Sequence, residues 1–163
     1  MTNWTRRSLM TAAVTGVVGA SAASGAMVGP HEFELQGSGI WDDLRNAFNP
    51  AVGANMNGMG RIEHIGKVRQ AGNLFLNAPD AHGIAAGAGS VTLTTASGLQ
   101  IFFAYSGLLD TIGGIGLATV KFTGGTGKFA SAYGIASLYS KFDLHSLVNA
   151  HMKVVKITGT LIY

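Results

Sequence analysis

Apolar and polar residues alternate with a period of two through most of the chain after residue 30, and glycine-containing turns interrupt the alternation at short intervals. The clearest run covers residues 91–95; a turn follows at residues 96–98, and residues 99–108 return as an aromatic-rich run. Successive side chains of a β-strand point to opposite faces of a sheet, so this pattern predicts a β-hairpin. The alternation constrains the chain to an all-β fold.

Similar runs recur along the chain, and seven or eight strands are predicted in total. The remaining predicted strands occupy residues 32–36, 58–64, 67–76, 117–123, 135–142 and 152–163. Residues 77–88 and 145–150 do not continue the pattern and are predicted to be irregular connections. Because the chain ends on a strand, its last segment can help to close the sheet.

One segment has a helical rather than a strand-like spacing. Trp41, Leu44 and Phe48 stand at positions i, i+3 and i+7, which predicts one or two helical turns over residues 41–48. Asp42 and Asp43 fall near the start of these turns, where the helix dipole favours carboxylates. The segment is interpreted either as a plug for one end of a barrel or as an apolar loop.

The first 26 residues have the features of an export signal. Arg6 and Arg7 precede a mildly apolar stretch, Leu9 to Ala20, and small residues then accumulate up to Ala26. This order resembles the bacterial twin-arginine signal peptide, with cleavage after Ala22 or, preferably, after Ala26. The stretch is shorter than the roughly 20 apolar residues of a membrane-spanning helix. The sequence therefore predicts export to the periplasm or the extracellular space, no stable membrane anchor after cleavage, and one mature domain over residues 27–163.

Charge argues against nucleic acid as a partner. The chain has a formal net charge of +3, and removing Arg6 and Arg7, the only charges of the first 26 residues, leaves +1. The other basic residues are scattered and form no block that could follow a phosphate backbone. The chain also contains no cysteine, which removes disulfides, thiolate metal sites and cysteine nucleophiles from consideration.

A glycine-rich segment at residues 124–129 invites comparison with nucleotide-binding loops. The P-loop pattern fails at Phe122, where a glycine is required, and at Phe129, where a serine or threonine is required. A permissive dinucleotide fingerprint fits, but no helix of adequate length follows it. Gly124, Gly125 and Gly127 are therefore predicted to serve a tight connection with backbone conformations that other residues disfavour. No nucleotide cofactor is expected.

The same segment resembles the G-G-x-G-x-F…G hairpin shared by dirigent proteins, allene oxide cyclases and many bacterial secreted proteins. The matching positions are Gly124, Gly125, Thr126, Gly127, Phe129 and Gly134. The resemblance implies an antiparallel β-barrel of about eight strands. Together with the helical spacing of residues 41–48, it predicts an all-β barrel with a short helical turn near the N-terminus of the mature domain. In the cyclases a strand near the N-terminus carries a functional carboxylate, and Glu32 and Glu34 occupy a comparable strand.

Motifs for other chemistry are missing from the sequence. The five histidines, His31, His64, His82, His145 and His151, show neither H-x-H nor H-E-x-x-H spacing, so no metal site is predicted. No G-x-S-x-G elbow occurs, and Asp110 and Asp143 lie near predicted strand ends without an obvious histidine partner. The catalytic residues, if the protein has any, stay unassigned.

Three classes of function remain open. The favoured class is a barrel that binds a small lipophilic or aromatic molecule, with Phe103, Tyr105, Phe122 and Tyr139 as the predicted ligand-binding residues. The second is an isomerase or cyclase of the allene oxide cyclase type acting on an apolar substrate. The third is a structural or interaction protein with a fully packed interior. The sequence also leaves self-association into a homo-oligomer open.

Overall fold

The computed structural model describes residues 29–163, apart from the side chain of Val154, so the predicted signal peptide at residues 1–26 lies outside the described residues. The strands are β1 (Pro30–Asp43), β2 (Ala54–Ile62), β3 (Gly66–Leu76), β4 (Ile84–Thr95), β5 (Gln100–Asp110), β6 (Ile115–Gly125), β7 (Tyr133–Phe142) and β8 (Val148–Ile162). All neighbours are antiparallel, and β1 pairs with β8 to close the barrel. The predicted all-β, eight-stranded antiparallel barrel is confirmed.

Alternation along each strand separates the interior of the barrel from its outer surface. In β1, Phe33 and Leu35 are buried inside, whereas Glu32 and Glu34 lie on the outside. Neighbouring strands have the same inward and outward faces, because residues paired across two antiparallel strands point to the same side of the sheet. A β-bulge between Gly37 and Gly39 shifts the register of β1 against β8 and lets these two long strands follow the curvature of the barrel.

The helical turn predicted over residues 41–48 is present in shorter form. Trp41 to Asp43 remain in β1, and a 3-10 helix covers Leu44–Phe48. Asp43 caps this helix by accepting a hydrogen bond from the backbone N–H of Arg45, and the Arg45 guanidinium lowers the pKa of Asp43. Leu44 and Ala47 are buried at the end of the barrel, which favours the plug over the open loop. No helix among residues 29–163 is long and apolar enough to cross a membrane.

Two predicted connections are partly strands. β4 begins at Ile84, so only residues 77–83 remain of the connection predicted at 77–88, and β8 begins at Val148 within the connection predicted at 145–150. The first residues of β4 are alanines and glycines, whose weak hydrophobic contrast hides the alternation. They are held in the sheet by pairing with β5, from Ile84 opposite Asp110 onward.

The glycine-rich segment forms a tight connection between β6 and β7. Gly124 and Gly127 have positive φ angles of 129° and 56°, as predicted for backbone conformations that favour glycine. Gly125 is required for a different reason, since a Cβ there would lie 2.7 Å from the Cβ of Phe129. Thr126 exchanges two hydrogen bonds with the backbone of Gln100, which fixes the connection to β5.

Candidate ligand-binding cavity

A cavity of about 60 Å³ lies in the half of the barrel nearer the Leu44–Phe48 helix. Most of its lining side chains are aliphatic, aromatic or thioether groups contributed by strands all around the barrel. The lining residues are Trp41, Met56, Gln70, Leu74, Leu76, Gly87, Val91, Phe103, Tyr105, Gly107, Leu108, Leu109, Gly116, Leu117, Ala118, Leu138, Ser140, Phe142, Met152, Val155 and Ile157. None of them carries a formal charge at neutral pH.

The space exists because small residues occupy inward positions on neighbouring strands. Gly87, Gly107, Gly116 and Ala118 follow one another across β4, β5 and β6. An eight-stranded barrel has an interior that side chains can just fill, so four small residues in one region leave part of it empty. At Gly116 an added Cβ would contact Ser140 Oγ, which shows that the strands are closely packed around the cavity.

The four predicted ligand-binding residues lie in different places. Phe103 and Tyr105 line the cavity. Phe122 is buried inside the barrel but belongs to a packed aromatic cluster, with its ring centroid 4.7 Å from that of Phe33 and 5.9 Å from that of Phe103. Tyr139 points to the outer surface and is 39% exposed. The structure thus brings two of the four to the cavity.

Tyr105 makes a hydrogen bond that connects β5 to β3 across the intervening strand β4. Its side chain crosses Gly89 on the neighbouring strand, and its hydroxyl donates a 2.6 Å hydrogen bond to the backbone carbonyl of Asn73 on β3. The Asn73 side chain accepts from the backbone N–H of Ser90, so side chains replace backbone pairing at this point of the β3–β4 ladder. Burial raises the pKa of the Tyr105 hydroxyl, which keeps it protonated at physiological pH.

Replacing Tyr105 by phenylalanine is expected to lower the free energy of unfolding by about 1–3 kcal/mol, because the Asn73 carbonyl loses its donor. Urea denaturation followed by circular dichroism measures this change. Tyr139→Phe is the matched control, since that side chain is exposed and should change stability by less than about 0.5 kcal/mol. Equal effects of the two substitutions would contradict the assigned role of Tyr105.

Sequence reasoning missed Trp41 and Gln70, which are among the polar residues of the lining. Trp41 falls within the predicted helical turn. It stands an even number of residues from Phe33 and Leu35 along β1, however, and therefore belongs to the same inward face of that strand. Gln70 shares the parity of Val68 on β3 and is 3% exposed. Strand parity was the available signal for both, but it does not identify a buried polar side chain as functional.

The charged and titratable residues considered for catalysis lie away from the cavity. Glu34 accepts a hydrogen bond from Gln36 and lies 3.8 Å from the Lys156 ammonium on the outer surface. Asp110 accepts hydrogen bonds from the backbone N–H groups of Gly113 and Ile112, which lower its pKa and hold a turn.

Asp143 also takes part in a structural ion pair and does not line the cavity. Its carboxylate pairs with the Lys153 ammonium at 2.9 Å, and this contact lowers the pKa of Asp143. Among residues 29–163, no group of three or more His, Asp or Glu side chains is placed to hold a metal ion.

No protein-family model matches the chain, and no curated protein matches it in sequence.

Proposed function

We propose that this chain is an exported small β-barrel protein that binds a small lipophilic molecule inside the barrel. The observation that carries the proposal is the cavity of about 60 Å³ in a barrel whose other interior positions are tightly packed. Apolar pockets with a few polar groups are the usual form of small-molecule sites. Binding of an apolar ligand is favourable here because its apolar surface moves from water to a lining made mostly of hydrocarbon.

The volume limits what can be buried. An engineered protein cavity of about 150 Å³ accepts benzene, so a cavity of about 60 Å³ accepts a group with fewer non-hydrogen atoms. The bound species is therefore a very small molecule, or the compact apolar end of a larger one.

Binding is favoured over proton-transfer catalysis by the chemistry of the lining. An isomerase or cyclase that moves a proton needs an acid or base at the reacting atoms. Tyr105 is the titratable side chain of the lining, and its hydroxyl already donates to Asn73. Glu32 and Glu34, the carboxylates that the cyclase resemblance suggests, lie on the outer face of β1.

The compartment and the family are parts of the same proposal. Export is supported by Arg6, Arg7 and the apolar stretch that follows them. Kinship with dirigent proteins and allene oxide cyclases is supported by the hairpin at residues 122–134 and by the number of strands in the closed barrel.

Filling the cavity is expected to abolish binding. Ala118 lines the cavity, and Ala118→Leu places three additional carbon atoms there. The probe is 2-methylbut-1-ene, a compact hydrocarbon, titrated into the full chain while methyl resonances are followed by NMR. The unaltered protein should show saturable shifts at Met56 and Met152, and Ala118→Leu should show none.

Ala104→Leu is the matched control. Ala104 precedes Tyr105 on β5 and points to the outer surface, so the same substitution adds the same atoms outside the barrel. Binding should be unchanged in this variant. If the unaltered protein shows no saturable shifts, the interior is a packed core and the protein belongs to the structural class.

A further inference from the structure

Two polar side chains at the cavity have hydrogen-bond donors without acceptors. Trp41 and Gln70 are each 3% exposed, and both line the cavity. Neither the Trp41 Nε1–H nor the Gln70 Nε2 group has a hydrogen-bond partner among residues 29–163. Folded proteins pair the large majority of buried polar groups, since an unpaired one loses its bonds to water. Two unpaired donors at one cavity indicate an acceptor that is not among the described residues.

The position of Gln70 is fixed by glycines on the neighbouring strands. Gly37 of β1 and Gly60 of β2 are paired on adjacent strands, and the Gln70 amide lies against both. A Cβ at Gly60 would lie 2.7 Å from Gln70 Nε2, so a larger residue there would displace the amide. The backbone carbonyls of paired strands accept hydrogen bonds from the backbone N–H groups of the neighbouring strand, and the amide has no acceptor among residues 29–163.

The other polar side chains of the lining are already engaged. The Tyr105 hydroxyl donates to Asn73, and Ser140 Oγ lies 3.5 Å from the carbonyl oxygen of Gly116. No lysine, arginine or histidine of the described part of the chain lines the cavity, so an anionic ligand would be buried without a counter-charge, which is strongly unfavourable. The lining thus offers hydrogen-bond donors to a neutral molecule.

We infer that the ligand is a neutral, compact molecule with an oxygen acceptor, of the carbonyl class, and that the unpaired N–H groups of Trp41 and Gln70 are the donors that recognise it. The inference rests on the proposed function and adds the polar end of the ligand to it. The apolar lining holds the hydrocarbon part of the molecule, and the two donors set its orientation. A few polar groups in an otherwise apolar pocket fix the orientation of a ligand and provide specificity.

The test uses three probes with the same number of non-hydrogen atoms: butanone, 2-methylbut-1-ene and propanoate. Butanone and the alkene differ by the replacement of a carbonyl oxygen by a methylene group, and propanoate is an anion. Each is titrated by NMR into the full chain and into Trp41→Phe and Gln70→Met, which remove one donor each and keep an apolar side chain. Tyr139→Phe is the control because that side chain lies on the outer surface of the barrel and does not line the cavity.

Butanone should move the Trp41 indole N–H resonance downfield in the unaltered protein, and the alkene should not. Each donor variant should weaken the binding of butanone about three- to tenfold more than it weakens the binding of the alkene. This difference corresponds to the loss of one hydrogen bond. The relative measure is needed because Trp41→Phe also enlarges the cavity for both probes. Tyr139→Phe should leave this ratio within about twofold, and propanoate should not bind.

The possible results separate the two proposals. Alkene binding without any donor effect on butanone overturns the carbonyl assignment and leaves the apolar site in place, with water as the partner of the two donors. Failure of both neutral probes to bind overturns the site itself. If Trp41→Phe does not fold, the indole resonance of the unaltered protein and the Gln70→Met titration still decide.

Discussion

Replacing Gly134 by alanine is expected to lower the free energy of unfolding by about 2–5 kcal/mol, a large part of the 5–15 kcal/mol that stabilises a typical domain. Gly134 begins the inward face of β7 and has a φ angle of 149°, a conformation that L-residues rarely adopt. An added Cβ would also overlap the backbone carbonyl oxygen of Thr160 on β8. The strain and the overlap act on the same strand pair, so neither is relieved by a local shift. Urea denaturation measures the loss.

Two further variants separate these causes. Gly98→Ala tests the conformation alone, because Gly98 has a φ angle of 83° and open space around the Cβ position. Gly159→Ala tests overlap alone, since its Cβ would contact Ile135 and Ala136 while its φ angle is ordinary. Gly134→Ala should destabilise more than either. A loss no larger than that of Gly98→Ala, about 1 kcal/mol, would show that β7 and β8 separate easily.

Replacing Arg6 and Arg7 together by lysine is expected to retain nearly all of the protein in the cytoplasm. The twin-arginine route reads the paired guanidinium groups as an address, and lysine preserves the charge without the planar fork of donors. Fractionation of cells that express the two forms, with immunoblotting, measures the distribution. Mass spectrometry of the exported form should show an N-terminus at Ala23 or Met27.

The paired substitution Arg61→Lys and Arg69→Lys is the control for this experiment. Both residues are exposed on strands of the barrel, so the same chemical change should leave export intact. Export of the Arg6 and Arg7 variant at the normal level, or full-length protein in the membrane fraction, would contradict the twin-arginine assignment.

The strands of the barrel were predictable wherever one face is apolar and the other polar. β3 and β5 appear within a few residues of their predicted bounds because Val68, Leu74 and Phe103 alternate with polar or small neighbours. The start of β4 was not predictable, since its alanines and glycines differ too little in hydrophobicity. Its pairing with β5, a contact distant in sequence at that end, decides its conformation.

The site was less predictable than the fold, because β7 is apolar on both faces. Tyr139 and Ile135 lie outside, and Ala136 and Leu138 lie inside, so residue size did not reveal which face lines the interior. Aromatic side chains were assumed to surround the ligand. The structure shows that small inward residues leave the space and that Trp41 and Gln70 line it with unpaired polar groups.

The pairing of β1 with β8 has a consequence for how the chain folds. Every other pair of neighbours is consecutive in sequence and can form as a hairpin, whereas Pro30 meets Ile162 only when the two ends of the described chain come together. Closing such a long loop carries the largest entropy cost, so this ladder is expected to form last and to limit the rate. Until then β1 and β8 present unpaired backbone groups that can template aggregation. A chain in which β1 and β8 have not yet paired is therefore the species most in need of protection by chaperones.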